Sequence, residues 1–160
     1  MAKSERRGDH GEREALTKTY VMDASVLVAL NHKNDDHYVE VTAWFDSLSG
    51  EDVYVAPTLI LAEMSAAFGQ CGLAASIIER THAAVKASFE FLELTEDRSK
   101  GAGQVAYSTR CRAADAVYVQ AAQEKKATLV TADKKQAKAA RDLDINVVLF
   151  GDGGDASRKS

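Results

Sequence analysis

The sequence predicts an α/β fold in three layers, with a central, mostly parallel sheet of four to five strands covered on both faces by helices. Three observations predict it. Short apolar runs alternate with longer stretches whose apolar residues recur at helical spacing. Strands separated in this way by helices need right-handed crossovers, which lay them parallel and put helices on both faces. And 160 residues suit one domain, long enough to bury roughly two-thirds of the surface of the unfolded chain.

The elements follow in order. "YVM" (Tyr20 to Met22) reads as a strand that stops at Asp23, and Ser25 is placed to cap a helix through Leu30. His37 to Leu48 repeats apolar residues at Val41, Trp44, Phe45 and Leu48, a helical stripe. "DVYVA" (Asp52 to Ala56) is a buried strand, after which Pro57 suits the first turn of a helix to about Cys71. Gly72 separates that helix from another over Leu73 to Ala87. "FEFLEL" (Phe89 to Leu94) alternates as a strand does. Helices then cover about Arg98 to Thr109 and Ala113 to Lys125, "TLVT" (Thr128 to Thr131) is a strand, Lys134 to Leu143 a helix, and Asn146 to Phe150 a last strand.

Both ends differ from this middle. Residues 1–19 mix charges of both signs with two glycines and carry little that could enter a core, which predicts a disordered N-terminal arm or an expression remnant. Residues 151–160, "GDGGDASRKS", read as a flexible glycine-rich tail, leaving 20–150 as the folded domain. Cys71 and Cys111 stand far apart with no Cys or His at metal-ligand spacing; both read as small core or helix residues of a reduced, cytoplasmic protein. No apolar run approaches the ~18 residues that span a membrane, so no membrane partner is expected.

Four acids stand out. In an open parallel sheet the functional crevice lies outside the carboxyl ends of the strands, and Asp23 and Asp133 each come where a strand ends. Glu63 in "LILAEMSAAF" and Asp115 in "RAADAVYVQAA" interrupt apolar helical faces, Asp115 in a first turn, where free amides favour an anion. Each alone reads more readily as a helix cap or a solvated side chain. Together they would converge at one edge, where like charges persist only with a cation or a proton. An oxygen-only donor set favours Mg²⁺ or Mn²⁺ over zinc.

"VMDASVLVAL", "LILAEMSAA", "RAADAVYVQAA" and "LVTADKK", in this order and spacing, resemble the four acidic motifs of the PIN domain, and most of all the compact VapC toxins. The resemblance covers about residues 20 to 150 and implies a PIN-like nuclease domain in which Asp23, Glu63, Asp115 and Asp133 are metal-binding and catalytic residues. Ser25 and Thr131 match positions where the family often carries a small hydroxyl residue, here able to orient Asp23, Asp133 or a bound water. The implied activity is hydrolysis of RNA phosphodiester bonds with one or two Mg²⁺ or Mn²⁺ ions. The implied partners are a structured RNA such as tRNA or rRNA, a second copy in a homodimer, and a cognate antitoxin that covers the acids. Such an antitoxin is expected to set an Arg against the four carboxylates, since a guanidinium can replace the cation.

A nucleic-acid reading must meet a net charge of −4. From Arg110 to Arg141, however, eight basic residues face three acidic ones. Topology puts Arg110, Arg112, Lys134 and Lys135 on the active edge as RNA-binding candidates, and Lys125 and Lys126 at the opposite edge; "DKKQAKAAR" reads equally as a solvated helix face. His10, His32, His37 and His82 read as loop or surface histidines. A haloacid-dehalogenase-like phosphotransferase would need a second Asp where this chain has Ser25. The standing alternative is a non-catalytic PIN-like module that binds RNA or protein. Trp44 and Ile77 could serve an interface or complete the core, and Trp44 reads as core.

Overall fold

The computed structural model describes residues 16–152. Its elements are β1 (Thr19–Met22), α1 (Ala24–Asn31), α2 (Tyr38–Asp46), β2 (Val53–Pro57), α3 (Leu59–Gln70), α4 (Ala75–Ser88) and β3 (Phe89–Leu92), then α5 (Glu96–Thr109), α6 (Ala113–Lys125), β4 (Thr128–Thr131), α7 (Lys134–Asp142) and β5 (Val147–Leu149). All five strands are parallel, in the order β3-β2-β1-β4-β5. With right-handed crossovers, moving from β1 outward to β3 places α1 to α4 on one face, and returning through β4 to β5 places α5 to α7 on the other. The result is a three-layer α/β/α sandwich.

The central strands are greasy because both faces are covered: Val21, Met22, Val55, Ala56, Leu129 and Val130 are fully buried. Helix α6 crosses β1, β2 and β4 and is itself covered by α5 and α7. It is therefore buried on most of its circumference, from Asp115 through Val119 and again at Ala121 and Ala122. Trp44 packs edge-on against Tyr20 and Phe150, half-buried against the core, and Ile77 is likewise half-buried there. No helix among the described residues is long and apolar enough to cross a membrane.

Several boundaries differ from the sequence reading. Asp23, not Ser25, holds the N-cap position of α1, and Ser25 lies in the first turn, where its hydroxyl donates to Asp23 instead of capping an amide of the helix. Pro57 does not open a helix. It closes β2 opposite Leu92, and the ladder continues through the next donor, Thr58 N–H to the Leu92 carbonyl at 2.9 Å. Helix α5 starts two residues earlier than expected, because Thr95 caps it by accepting from the Arg98 amide. Cys71 is an exposed helix C-cap, outside the core, and Cys111 is a half-buried loop residue packed against it. His82 is neither loop nor surface: it sits half-buried within α4, 3.0 Å from Ser65 Oγ on α3.

The ends are more ordered than expected where they are described. Thr19 already pairs with Val53, and the Lys18 amide donates to Asp52 at 3.1 Å. The earlier arm, residues 1–15 with His10, lies outside the described residues, as does the tail from 153 to 160. Gly151 and Asp152 are held. The Gly151 amide donates to Glu40 at 3.0 Å, Lys134 pairs with Asp152 at 2.7 Å, and a Cβ at Gly151 would clash with the His37 ring. With φ at 87°, this is a place for glycine.

Candidate functional site

The strand order reverses at β1, with β2 and β3 on one side and β4 and β5 on the other. The crevice between the carboxyl ends of β1 and β4 is therefore the topological switch point of the sheet. Asp23 leaves β1 there, and Asp133 follows the end of β4. Helix α3 brings Glu63 to the same place and the first turn of α6 brings Asp115, so all four acids line one open cleft of about 480 Å³.

Asp23 is buried, and its amide still bonds the Val130 carbonyl of β4 at 3.0 Å. Its Oδ2 accepts from Ser25 Oγ at 2.7 Å and from Thr131 Oγ1 at 2.9 Å. Each hydroxyl in turn accepts a backbone amide of the turn after β4, Ser25 from Ala132 at 3.1 Å and Thr131 from Asp133 at 2.9 Å. Two small side chains thus stitch the ends of β1 and β4 together. Burial pushes the Asp23 carboxyl above the usual range; the two hydroxyls and the Ala24 amide oppose that, and the Asp115 charge adds to it.

Asp115 is buried, with Arg112 lying over it: Nε donates to Oδ2 at 3.0 Å and Nη2 to Oδ1 at 3.3 Å. The same Nη2 reaches Asp133 Oδ2 at 3.2 Å. Asp133 uses its other oxygen to cap α7, accepting from the Lys135 and Gln136 amides at 2.8 and 3.1 Å. Glu63, half-buried, accepts from the Tyr118 hydroxyl at 2.5 Å. Burial raises the Glu63 carboxyl above its ordinary range, the Tyr118 hydrogen bond pulls the other way, and the charges of Asp23 and Asp115 push it further up. Burial also pushes the Tyr118 hydroxyl far up, so it remains a donor.

Of the four basic candidates only Arg112 lines the cleft, and it is engaged with carboxylates. Arg110 is exposed in the left-handed turn after α5, Lys134 is paired with Asp152, and Lys135 is exposed. Lys125 pairs with Glu90 at the start of β3, away from the cleft. Sequence reasoning missed Tyr118, which reads as an ordinary core aromatic, and it missed Asp35 and His37, which line the cleft from the loop after α1. The signal for those two was the polar run "HKNDDH" directly after the helix that Asp23 begins.

The donor set suits a hard divalent cation in kind and charge: four carboxylates, no sulfur, and two of the acids buried. Among the described residues, however, no three His, Cys, Asp or Glu side chains are grouped closely enough to hold a metal. The Arg112 guanidinium lies across Asp115 and Asp133, and it is the group that has to move for an ion to enter between them.

Acids gathered at the switch point of a five-stranded parallel sheet define the chain as an α/β domain with a carboxylate site. The model of the PIN domain matches residues 20–142, and the chain belongs to that family. Among solved structures it is similar to VapC20 of Mycobacterium tuberculosis, described as a sarcin-ricin loop cleaving toxin, with a TM-score of 0.65 at 15% identity over 75% of this chain and 94% of that one. It is similar to VapBC2 of Rickettsia felis, seen bound to a promoter DNA fragment, with a TM-score of 0.62 at 14% identity over 83% and 99% of the two chains. FitAcB of Neisseria gonorrhoeae gives 0.60 at 22% identity over 80% and 95%. At these identities the likeness is one of fold. No curated protein sequence matches the chain.

Proposed function

We propose that residues 20–150 form a metal-dependent endoribonuclease of the VapC kind, the toxin of a type II toxin-antitoxin pair acting on a structured cytoplasmic RNA. The observation that carries this reading is the gathering of Asp23, Glu63, Asp115 and Asp133 in one cleft at the switch point, with Asp23 and Asp115 buried. An acidic cluster of this kind leaves a surplus of negative charge that a divalent cation offsets. Asp23 and Asp115 are its direct ligands in this proposal, and Glu63 and Asp133 complete the set or hold water beside it.

A bound Mg²⁺ or Mn²⁺ supplies positive charge against the phosphoryl oxygens and acidifies the attacking water. The chain supplies the rest. Ser25 and Thr131 fix the Asp23 carboxylate, and the capping amides of α7 fix Asp133. Arg112, largely exposed and reaching two of the acids, is placed to leave them for a substrate phosphate. Arg110, Lys134 and Lys135 extend that positive edge, and shape then does much of the selecting among RNAs. A cognate antitoxin offering an Arg to the same cleft would take the part that Arg112 takes here, and the fold likeness to toxin-antitoxin complexes supports such a partner. A homodimer belongs to the same reading.

One observation favours a second reading. Arg112 already satisfies two of the four acids without any ion, as a non-catalytic binding module would allow. The test is incubation of the purified protein with mixed structured RNAs, with and without Mn²⁺, beside Asp23→Asn and Asp115→Asn. Cleavage that needs the ion and is lost in both variants supports the nuclease. Cleavage that ignores chelator, or survives both substitutions, overturns it, and RNA binding with no cleavage selects the module.

A further inference from the structure

The acids of the cleft share a pattern: neutral donors hold one oxygen of each of three carboxylates. Ser25 and Thr131 take Asp23 Oδ2, the α7 amides take Asp133 Oδ1, and the Tyr118 hydroxyl takes Glu63 Oε2. A neutral donor fixes a carboxylate while leaving its charge intact, whereas a guanidinium fixes it and cancels the charge. Only the first kind of support keeps an acid useful to a cation.

Glu63 needs such support most. It has one more side-chain torsion than an aspartate and so more freedom to lose, and α3 delivers it to the cleft only partly buried. Tyr118 is 1% exposed, its ring locked in the core of α6. It lies three residues after Asp115, on the same helical face, so α6 carries one acid of the cleft and the donor that orients another.

We propose that Tyr118 is the positioning residue for Glu63: its rigidly held hydroxyl fixes the carboxylate through Oε2 and leaves Oε1 and the charge for the cation. This rests on the cation reading of the cleft given above. Partners one step behind a metal ligand are worth about 10- to 100-fold in metal affinity. The experiment is calorimetric titration of the whole chain with Mn²⁺, comparing the parent, Tyr118→Phe, Glu63→Ala and the double variant, with thermal melts to establish that each is folded. Tyr118→Phe keeps the ring and its packing. Its Mn²⁺ Kd should rise about tenfold, and the same substitution in the Glu63→Ala background should change Kd less than about twofold. A folded Tyr118→Phe that binds Mn²⁺ as the parent does, or loses affinity equally with and without Glu63, overturns the assignment and leaves the nuclease reading standing. A parent that binds no Mn²⁺ removes the cation reading and this inference with it. The parent also offers a measurement that needs no change at Tyr118: Mn²⁺ should perturb the ultraviolet absorption of a buried tyrosine, and the perturbation should vanish in Glu63→Ala. No perturbation in a parent that binds the ion counts against the role.

Discussion

The two ends of helix α6 hold the same kinds of side chain to opposite effect. At its C-terminal end each of two acids is matched by a base: Arg98 grips Glu124 through Nε and Nη2, and Lys125 pairs with Glu90. Glu124 is accordingly held below its ordinary carboxylate range, chiefly by the Arg98 hydrogen bond. At the N-terminal end four acids meet one arginine, and Asp23 and Glu63 are pushed above theirs, chiefly by burial. The matched end is complete as it stands. The unmatched end is held in place by the rest of the fold, and it is the end on which the proposed function rests.

The largest expected effect sets the two ends apart directly. Asp23→Asn and Asp115→Asn should each cut Mn²⁺-dependent RNA cleavage by at least about 100-fold, measured on a substrate found by the incubation above. Asp23→Asn should at the same time raise the thermal midpoint of the metal-free protein by a few °C or so, since it removes a buried charge and keeps the shape. A lower midpoint would mean that Asp23 stabilises the fold, and the contrast between the ends would fail. A smaller effect is expected at Arg112. Replacing it by Gln should tighten Mn²⁺ binding roughly two- to fivefold, the range of an exposed ion pair, while weakening RNA binding.

The pH dependence of stability should differ in sign between the ends. An acid whose folded pKa is raised binds more protons folded than unfolded, so its contribution to stability falls as pH rises from about 4 through the raised value. Asp23 and Glu63 act in this direction. Glu124 acts in the other, its contribution present above about 4.3 and lost as pH falls through its lowered value. Denaturant melts from pH 4 to 8 should therefore show Asp23→Asn gaining on the parent as pH rises. A gap that does not grow would sink the assignment of Asp23 as a buried, strained acid. The smallest effect belongs to the matched end: Glu124→Gln should cost no more than about 1 kcal/mol and leave Mn²⁺ binding unchanged.

What could be read from sequence followed from which signals are local. Asp23, Asp115 and Asp133 announce themselves because each sits where an apolar run ends or a helix begins, and parallel topology sends those places to one edge. Glu63 showed as a charge within an apolar stripe. The stitching of β1 to β4 by Ser25 and Thr131 joins residues 108 and 107 positions apart, a register that periodicity does not carry. Tyr118 was hidden for a different reason: its ring is a core residue by every sequence measure, and only the hydroxyl at its tip does something else. Pro57 misled because its preference for a first helical turn is nearly the same as its tolerance at a strand end, and which applies depends on where β3 runs.

The bond from Thr131 to Asp23 has a consequence in time. β1 lies at the centre of the sheet, yet one of its neighbours is β4, whose Thr131 is made 108 residues after Asp23. At roughly 5–20 residues per second of synthesis, that is about 5 to 20 seconds on the ribosome. Through that interval the nascent chain holds β1 without β4, and Asp23 without the partners that fix it. The four acids of the cleft therefore cannot stand together until β4 and the turn after it have been made.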